Sequence, residues 1–268
     1  MLCEWLSSRL SRSASRAVRQ LGYADELAAL AARHRRCALP WQPHLEATRR
    51  VLQEQGKRHG CGEGHALILG AGLLADIPWE DLAGHYAGLR LVDAAFPPAT
   101  RLLAARQRDR LQPVLHDLTG IIDRLGCVGV DAQPCDRLPG RLLQGVSWIA
   151  SVNCLSQLPL APAAWLLQRG VCEDAVESLG RAIITAHLRQ LETAGCPCCL
   201  IAERDDRRFG RDGHSIGRTD YGPLLDPWLR ATGAKLLAEW DWQVHPPGEL
   251  ADGETETRRV AAWALATP

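Results

Sequence analysis

The stretch that decides the fold is residues 66 to 78, Ala-Leu-Ile-Leu-Gly-Ala-Gly-Leu-Leu-Ala-Asp-Ile-Pro. Its leading apolar residues predict a short buried strand, and Gly70 and Gly72 predict a loop whose backbone can approach a ligand closely. A second apolar run, 89–92, ends at Asp93. That acid lies about 20 residues beyond the glycines, the spacing at which a carboxylate accepts ribose hydroxyls. The pattern is typical of an α/β domain that holds a nucleotide-like cofactor.

The composition excludes several classes of protein. With 268 residues, 46% of them hydrophobic and 23% charged, the chain suits one elaborated α/β domain or two small domains. Its formal net charge is zero, which removes the general electrostatic case for binding nucleic acid. No apolar run approaches the roughly 18 residues that span a bilayer. We therefore expect a small-molecule substrate, with neither nucleic acid nor membrane as a partner, and the oligomeric state stays open.

The cysteines point to a reducing compartment. Ten cysteines in 268 residues are too dilute for a disulfide scaffold. The cluster at Cys196, Pro197, Cys198 and Cys199 invites a metal interpretation, but no second Cys or His pair completes a tetrahedral zinc site. A strand entering the core explains the cluster better. We predict no bound metal and a cytoplasmic location.

The order of the predicted elements defines the fold class. Strands are predicted at 66–69, 89–92, 112–116, 146–152, 198–202, 234–244 and 258–266. Helices separate most of them, which predicts a Rossmann-like parallel sheet of five strands. Only a polar link joins the last two strands, so they should form a C-terminal antiparallel hairpin. Residues 1–63 are predicted to be a helical lid over the substrate, divided by Pro40 and Pro43, and residues 64–268 the cofactor-binding domain.

Polar residues follow four of the predicted parallel strands. Gly70, Asp93, Asp117 and Asn153 each stand just after a strand, and His116 precedes Asp117. In an open parallel sheet the ligand lies outside the carboxyl ends of the strands. Asp93 would accept ribose hydroxyls, Asp117 an exocyclic amine of a base, and Asn153 would face the reacting end. A single polar residue after a strand is most often a cap, but Asp93, Asp117 and Asn153 at successive strand ends are a stronger signal.

Residues 66 to 266 resemble a class I S-adenosylmethionine-dependent methyltransferase. Motif I resembles residues 67–72, motif II matches Asp93, motif III matches 116–118, motif IV resembles 151–159, and the closing hairpin is similar to 234–266. The resemblance implies S-adenosylmethionine as cofactor. It also implies a set of cofactor-binding residues: Gly70, Ala71, Gly72, Asp76, Asp93, Ala94, His116, Asp117, Leu118 and Asn153. Ile68 stands where motif I usually opens with an acid, and Leu74 where a third glycine is usual. Asp76 or a backbone carbonyl should then contact the methionine amino group.

The substrate side is predicted from two polar clusters. Arg36 and Trp41 suggest a pocket for an acidic or planar acceptor, although a surface helix anchored by Trp41 fits equally well. Methyl transfer needs chiefly orientation and exclusion of water, and a base only if the acceptor keeps its proton. We rank His44 first as that base, and Asp220 with Tyr221 second, because these two lie in a long polar stretch, 204–222, that is typical of a lid. A capping histidine and a plain turn are the competing interpretations.

Three functions are compatible with these motifs. The first is a methyltransferase acting on a small molecule. The second is a cofactor-binding pseudoenzyme or assembly protein that keeps the fold, an idea that the altered motif I supports. The third is an NAD(P)-dependent oxidoreductase, because Gly70-x-Gly72-x-x-Ala75 satisfies the dinucleotide pattern. The third is disfavoured because Asp76 to Pro78 delay the helix that should receive the pyrophosphate, and Asp76 would repel it.

Overall fold

The computed structural model describes residues 2–60 and 62–266. Met1, Cys61, Thr267 and Pro268, which fall within the two predicted segments, lie outside the described residues. The strands of the main sheet are β1 (His65–Leu69), β2 (Gly88–Asp93), β3 (Leu111–Leu115), β4 (Val146–Val152), β5 (Cys198–Phe209), β6 (Ser215–Asp220), β7 (Lys235–His245) and β8 (Thr255–Leu265). The helices are α1 (Leu2–Leu10), α2 (Arg16–Gln20), α3 (Tyr23–Arg36), α4 (Ala38–His59), α5 (Trp79–Ala83), α6 (Pro98–Arg106), α7 (Ile122–Val128), α8 (Gly140–Leu143), α9 (Leu160–Leu167), α10 (Glu173–Glu192) and α11 (Gly222–Thr232).

The sheet has the strand order β3-β2-β1-β4-β5-β8-β7, with β6 pairing the far part of β5. Strands β1 to β5 are parallel to one another, whereas β8 lies antiparallel between β5 and β7. The predicted sheet of five parallel strands and a terminal antiparallel hairpin is confirmed. Because the chain leaves β1 towards β2 and β3 and later returns to β4 on its other side, the strand order reverses between β1 and β4. A ligand crevice is expected at that point, outside the carboxyl ends of the strands.

Strand β1 is buried on both faces, which explains its unbroken apolar sequence. Ala66 and Ile68 pack into a core cluster with α4, and Leu67 and Leu69 pack into a second cluster with α10 on the opposite face. All four side chains have no exposed area. The sheet is therefore the middle layer of a three-layer structure, and β1 lies at its centre.

Helix α4 belongs to the core beside the sheet. Val51 and Leu52 are buried in the same cluster as Ile68. Two separate helices are present as predicted, but the break between them lies at Cys37 and not at Pro40 and Pro43. Helix α4 runs from Ala38 to His59 with both prolines in its first two turns. Pro40 lies in the first turn, where the N–H groups have no partner in the helix. Pro43 lies inside the helix, where it removes one helical hydrogen bond. The division of the chain at residue 63 stays a prediction, but α4 packs against the sheet.

The polar stretch 204–222 is mostly strand, not the loop that we predicted. Strand β5 continues to Phe209, and β6 returns beside it with Asp205 opposite Asp220. Ion pairs run across this extension, among them Arg207–Asp241 at 2.8 Å and Arg208–Glu254 at 3.1 Å. Both faces of these strands are polar, so they lack the apolar alternation by which a strand is recognised. No helix in the described part of the chain is long and apolar enough to cross a membrane.

Candidate functional site

A cavity of about 680 Å³ opens at the expected crevice. The loop after β1 and the residues that follow β2, β3 and β4 line one side of it, and α3, α4, α9 and β7 supply the rest. The predicted site residues that line it are Gly70, Gly72, Asp76, Asp93, Ala94, Asp117, Leu118, Asn153, Trp41 and His44. The structure thus brings both predicted cofactor residues and predicted substrate residues to one cavity.

The glycine loop is held between its neighbouring strands. Gly70 has φ +83°, and a Cβ atom there would lie 2.7 Å from the carbonyl oxygen of Val152. Any other residue would therefore be strained and would also collide with β4. The N–H of Gly72 donates to Oδ2 of Asp93 at 2.8 Å, and the hydroxyl of Thr100 donates to the Gly72 carbonyl at 2.8 Å. The loop and the acid after β2 form one rigid unit.

Leu74 occupies the position of the missing third glycine. Its φ is +57°, in the left-handed region that costs a side-chain-bearing residue about 1–2 kcal/mol. The side chain is buried in the same core cluster as Ile77 and Leu82. The burial of a leucine offsets this strain, since a buried leucine contributes about 1.5–3 kcal/mol. The loop therefore keeps its shape without the third glycine.

Two acids and a tyrosine meet at the end of the cavity near β2 and β3. Burial raises the pKa of the Asp93 carboxyl to about 6, against the opposing effect of backbone N–H donors. Burial and the negative fields of Asp117 and Asp93 raise the pKa of Tyr23 far above its usual value. Asp117 accepts from the N–H of Thr119 at 2.8 Å and from that of Ile122 at 3.0 Å, so it also caps α7. Tyr23, from α3, is a lining residue that sequence reasoning missed.

Asp76 and Asn153 form a hydrogen-bonded pair on the cavity wall. Nδ2 of Asn153 donates to Oδ2 of Asp76 at 2.8 Å. Burial raises the pKa of Asp76, whereas this hydrogen bond and the nearby charges of Arg49 and His34 lower it. Asn153 has φ +49°, and its Oδ1 is buried without a hydrogen-bond partner among the residues that the structure describes. A strained residue with an unsatisfied polar atom is typical of a functional site.

His44 is buried beside this pair and stacks on Trp242, with ring centroids 4.1 Å apart and planes 9° apart. Its Nδ1 accepts a hydrogen bond from Nε1 of Trp240 at 2.9 Å. Burial, and then the charge of Arg258, lower the pKa of His44 to about 3. The imidazole is therefore neutral at physiological pH and already uses its lone pair. This geometry argues against the base role that we predicted for His44.

Five predicted site residues lie outside the cavity wall: Ala71, His116, Arg36, Asp220 and Tyr221. Arg36 forms an exposed bidentate pair with Glu249, at 2.8 and 2.9 Å, so it acts on the surface and not in the cavity. Asp220 accepts from the N–H of Gly222 at 2.8 Å and borders a second cavity of about 450 Å³. Burial is the main cause that raises the pKa of the Tyr221 hydroxyl to about 12. Neither Asp220 nor Tyr221 is placed to act as a base in the main cavity.

Arg258 is a second lining residue that the sequence did not indicate. Its guanidinium pairs with Glu256 at 2.9 Å, Glu203 at 3.3 Å and Asp206 at 3.4 Å. It also lies 5.7 Å from the ring centroid of Trp242. Three carboxylates around one partly buried cation could not be foreseen, because β5 and β8 lie far apart in sequence. Among the described residues, no group of His, Cys, Asp and Glu side chains is arranged to hold a metal ion.

The sheet identifies the fold on its own. Its five parallel strands, with the order reversed between β1 and β4 and a terminal antiparallel hairpin, match the architecture that the motif resemblance predicted. The chain has the class I methyltransferase fold.

No protein-family model and no curated protein matches the sequence. Several solved structures are similar to the chain. One is a 1,6-didemethyltoxoflavin-N1-methyltransferase from Burkholderia thailandensis with bound 1,6-didemethyltoxoflavin and S-adenosylhomocysteine, at 15% identity and a TM-score of 0.45 over 90% of this chain and 87% of that chain. The DhpI–SAM–HEP complex is similar at 14% identity and a TM-score of 0.36, over 91% and 98% of the two chains. The Pyrococcus horikoshii protein PH1948, provisionally described as an RNA methyltransferase, is similar at 7% identity and a TM-score of 0.41, over 84% and 85%. Likeness at this level concerns the fold alone.

Proposed function

We propose that the chain is an S-adenosylmethionine-dependent methyltransferase that acts on a small-molecule acceptor. One observation carries the proposal. The glycine loop, Asp93, Asp117 and Asn153, which follow four successive strands, all line a single cavity at the point where the strand order reverses. That order suits a nucleoside-containing cofactor laid across the ends of the strands.

The cofactor would lie along the glycine loop. Asp93 would accept the ribose hydroxyls, with Tyr23 beside it, and Asp117 would lie towards the base. Asp76 and the unpartnered Oδ1 of Asn153 offer acceptors for the ammonium group of the methionyl part. They would replace the acid that motif I usually carries, which is the buried Ile68 here. When bound, S-adenosylmethionine supplies an electrophilic methyl group.

The cavity favours a small acceptor over a macromolecule. Helix α3 covers part of it through Leu27 and Leu30, and α9 borders it through Ala161 and Ala164. Its volume of about 680 Å³ lies within the range of small-ligand sites, about 300–1,000 Å³. The zero net charge of the chain offers no general attraction for RNA.

The protein's part in catalysis would be to orient the reactants and to exclude water. In the transfer, a lone pair of the acceptor forms a bond to the methyl carbon as the carbon–sulfur bond breaks. The two histidines that line the cavity, His34 and His44, both have pKa values lowered mainly by burial. An acceptor that is already nucleophilic at neutral pH, or that is bound as an anion, fits this site best.

The two competing functions make different demands. An NAD(P) site needs a helix N-terminus at the glycine loop, but the helix begins only at Trp79, and Asp76 lines the cavity where a pyrophosphate would lie. A cofactor-binding protein without turnover remains compatible with the buried Ile68 and the neutral His44.

Calorimetric titration tests the proposal. The full chain should bind S-adenosylmethionine and S-adenosylhomocysteine in the micromolar range and should not bind NADH. Absence of binding to both sulfur ligands at high micromolar concentration would overturn the proposal, and tight binding of NADH would favour the oxidoreductase. Formation of S-adenosylhomocysteine in the presence of an acceptor separates an enzyme from a protein that only binds.

A further inference from the structure

Two N–H donors face each other on the cavity wall. Nε2 of His44 and Nδ2 of Asn153 are 3.3 Å apart, and His44 is 2% and Asn153 7% exposed. Which of these atoms carry hydrogens decides whether the contact is a hydrogen bond or a pair of donors that converge on a ligand atom.

The hydrogen position on His44 follows from Trp240. An indole N–H can only donate, so its 2.9 Å contact makes Nδ1 of His44 an acceptor without a proton. A neutral imidazole must then carry its proton on Nε2. Nε2 is therefore a donor, and it points at Asn153.

The amide orientation of Asn153 follows from Asp76. An ionised carboxylate accepts and does not donate, so with Asp76 ionised the atom 2.8 Å from its Oδ2 is Nδ2 of Asn153. Nδ2 has a second hydrogen, and no acceptor in the described part of the chain receives it. The hydrogen on Nε2 of His44 lies beside this second hydrogen of Asn153. Two donors therefore lie next to each other, and neither can accept from the other.

We propose that His44 and Asn153 together bind an oxygen atom of a ligand: a carboxylate, a carbonyl or a phenolate. This inference rests on the proposed function and names the chemistry of what the site holds. Two neutral donors suit an anionic or polarised oxygen, because they stabilise it without transferring a proton. Asp76 already accepts from Asn153, and Arg258 is paired with three carboxylates. Arg49, whose charge also acts on Asp76, donates to the backbone carbonyl of Ala75. The oxygen belongs either to the methyl acceptor or to the carboxylate of the cofactor.

If the oxygen belongs to a phenol-like acceptor, the pair favours its ionised form. The phenol would release its proton to solvent water as it binds. The phenolate oxygen would then form a bond to the methyl carbon as the carbon–sulfur bond breaks, and the thioether product would leave. His44 keeps its proton throughout. An oxygen acid that is ionised on binding needs no base, in agreement with the low pKa of His44.

The first experiment measures the hydrogen positions in the full chain. Nitrogen-15 NMR of the histidine rings should show His44 neutral, with its proton on Nε2, from pH 8 down to pH 5. Trp240→Phe removes the hydrogen bond to Nδ1 of His44, so the tautomer with its proton on Nδ1 should appear. Trp228→Phe is the matched control, because Trp228 lies on α11 and its Nε1 has no hydrogen-bond partner within residues 2–60 and 62–266. A proton on Nδ1 in the wild type would overturn the inference.

The second experiment measures binding of three probes: S-adenosylhomocysteine, 5′-methylthioadenosine, and 4-nitrophenol added to the S-adenosylhomocysteine complex. Phenolate absorbance should rise when 4-nitrophenol binds. His44→Leu should weaken its binding about tenfold or more, Trp240→Phe by less, and Trp228→Phe not at all.

The pattern of losses names the source of the oxygen. Weaker 4-nitrophenol binding with unchanged cofactor-product binding assigns the oxygen to the acceptor. Weaker S-adenosylhomocysteine binding with unchanged 5′-methylthioadenosine binding assigns it to the cofactor carboxylate. Unchanged binding of all three probes to a folded His44→Leu would overturn the inference. If the wild type binds neither sulfur ligand, the proposed function fails, while the NMR result still decides whether the donor pair exists.

Discussion

Trp240 fixes the proton of His44: its indole N–H donates to Nδ1 at 2.9 Å and leaves the imidazole proton on Nε2. The two residues lie 196 positions apart, on β7 and α4. The same contact occupies the lone pair with which the imidazole would accept a proton. His44 is therefore suited to orient a ligand and not to deprotonate it.

The titration of His44 should not contribute to the pH profile of turnover. Because the pKa of His44 is lowered to about 3, it does not titrate between pH 5 and 9. We expect His44→Ala to turn over more slowly but to keep the acidic limb of the wild type. An acidic limb that disappears in His44→Ala would restore this residue as the base.

Cofactor binding should weaken at acidic pH through Asp93. Its pKa is raised to about 6, so the carboxyl is increasingly protonated below that pH and accepts fewer ribose hydroxyls. Titration of S-adenosylhomocysteine should give about threefold to fourfold weaker binding at pH 5.5 than at pH 7.5. Asp93→Asn should bind more weakly by about 1.5–3 kcal/mol and lose this pH dependence.

The exposed Asp109 provides a control. Asp109→Asn removes a carboxylate away from the cavity, so it should change neither the affinity for S-adenosylhomocysteine nor its pH dependence.

The raised pKa of Asp93 also affects folding stability, and in the opposite direction. Its favourable contribution to folding is complete below the unfolded value of 3.8 and is lost as the pH rises through about 6. An unchanged dissociation constant in a folded Asp93→Asn would show that the ribose lies elsewhere.

At Leu74, the glycine variant should be more stable than the alanine variant, which reverses the usual order of stability. Both substitutions lose the buried leucine, at a cost of about 2–5 kcal/mol. Alanine keeps the strain of φ +57°, whereas glycine relieves it, so Leu74→Gly should be more stable than Leu74→Ala by about 0.5–1 kcal/mol. Leu82, buried in α5, is the matched control, where glycine should be worse than alanine. Urea unfolding of the four variants checks both orders. The same order at both positions would mean that Leu74 is not strained.

Local patterns made part of this molecule predictable. The apolar run of β1, the glycines after it and the spacing to Asp93 are short-range features, because a strand and its turn are specified by a few neighbouring residues. The closing hairpin followed from the polar link before β8. These elements place one side of the cavity, and the sequence alone was sufficient for them.

Long-range partners made the rest unpredictable. In the sequence alone, Arg36 is a plausible substrate-binding residue. In the structure it pairs with Glu249, which lies 213 positions later in the chain. The role of His44 depends on Asn153 and Trp240, 109 and 196 positions away. The hydrophobic periodicity of a sequence does not indicate contacts between distant segments. A polar strand such as β6 has no hydrophobic periodicity by which it could be recognised. The chemistry of the site therefore differed most from expectation where distant segments meet.

Two deletions should separate the first two helices, α1 and α2, from the helix that builds the core. Helix α4 buries Trp41, Val51 and Leu52 against the sheet, and each such side chain contributes about 1.5–3 kcal/mol. Their sum approaches the whole stability of a domain, about 5–15 kcal/mol. Removal of residues 1–58 should therefore abolish cooperative unfolding. Removal of 1–21 spares α3 and α4, so this variant should unfold cooperatively and still bind S-adenosylhomocysteine. Thermal melts followed by circular dichroism measure both. A cooperative transition in the longer deletion would mean that α4 is dispensable for the core and would support the division of the chain at residue 63.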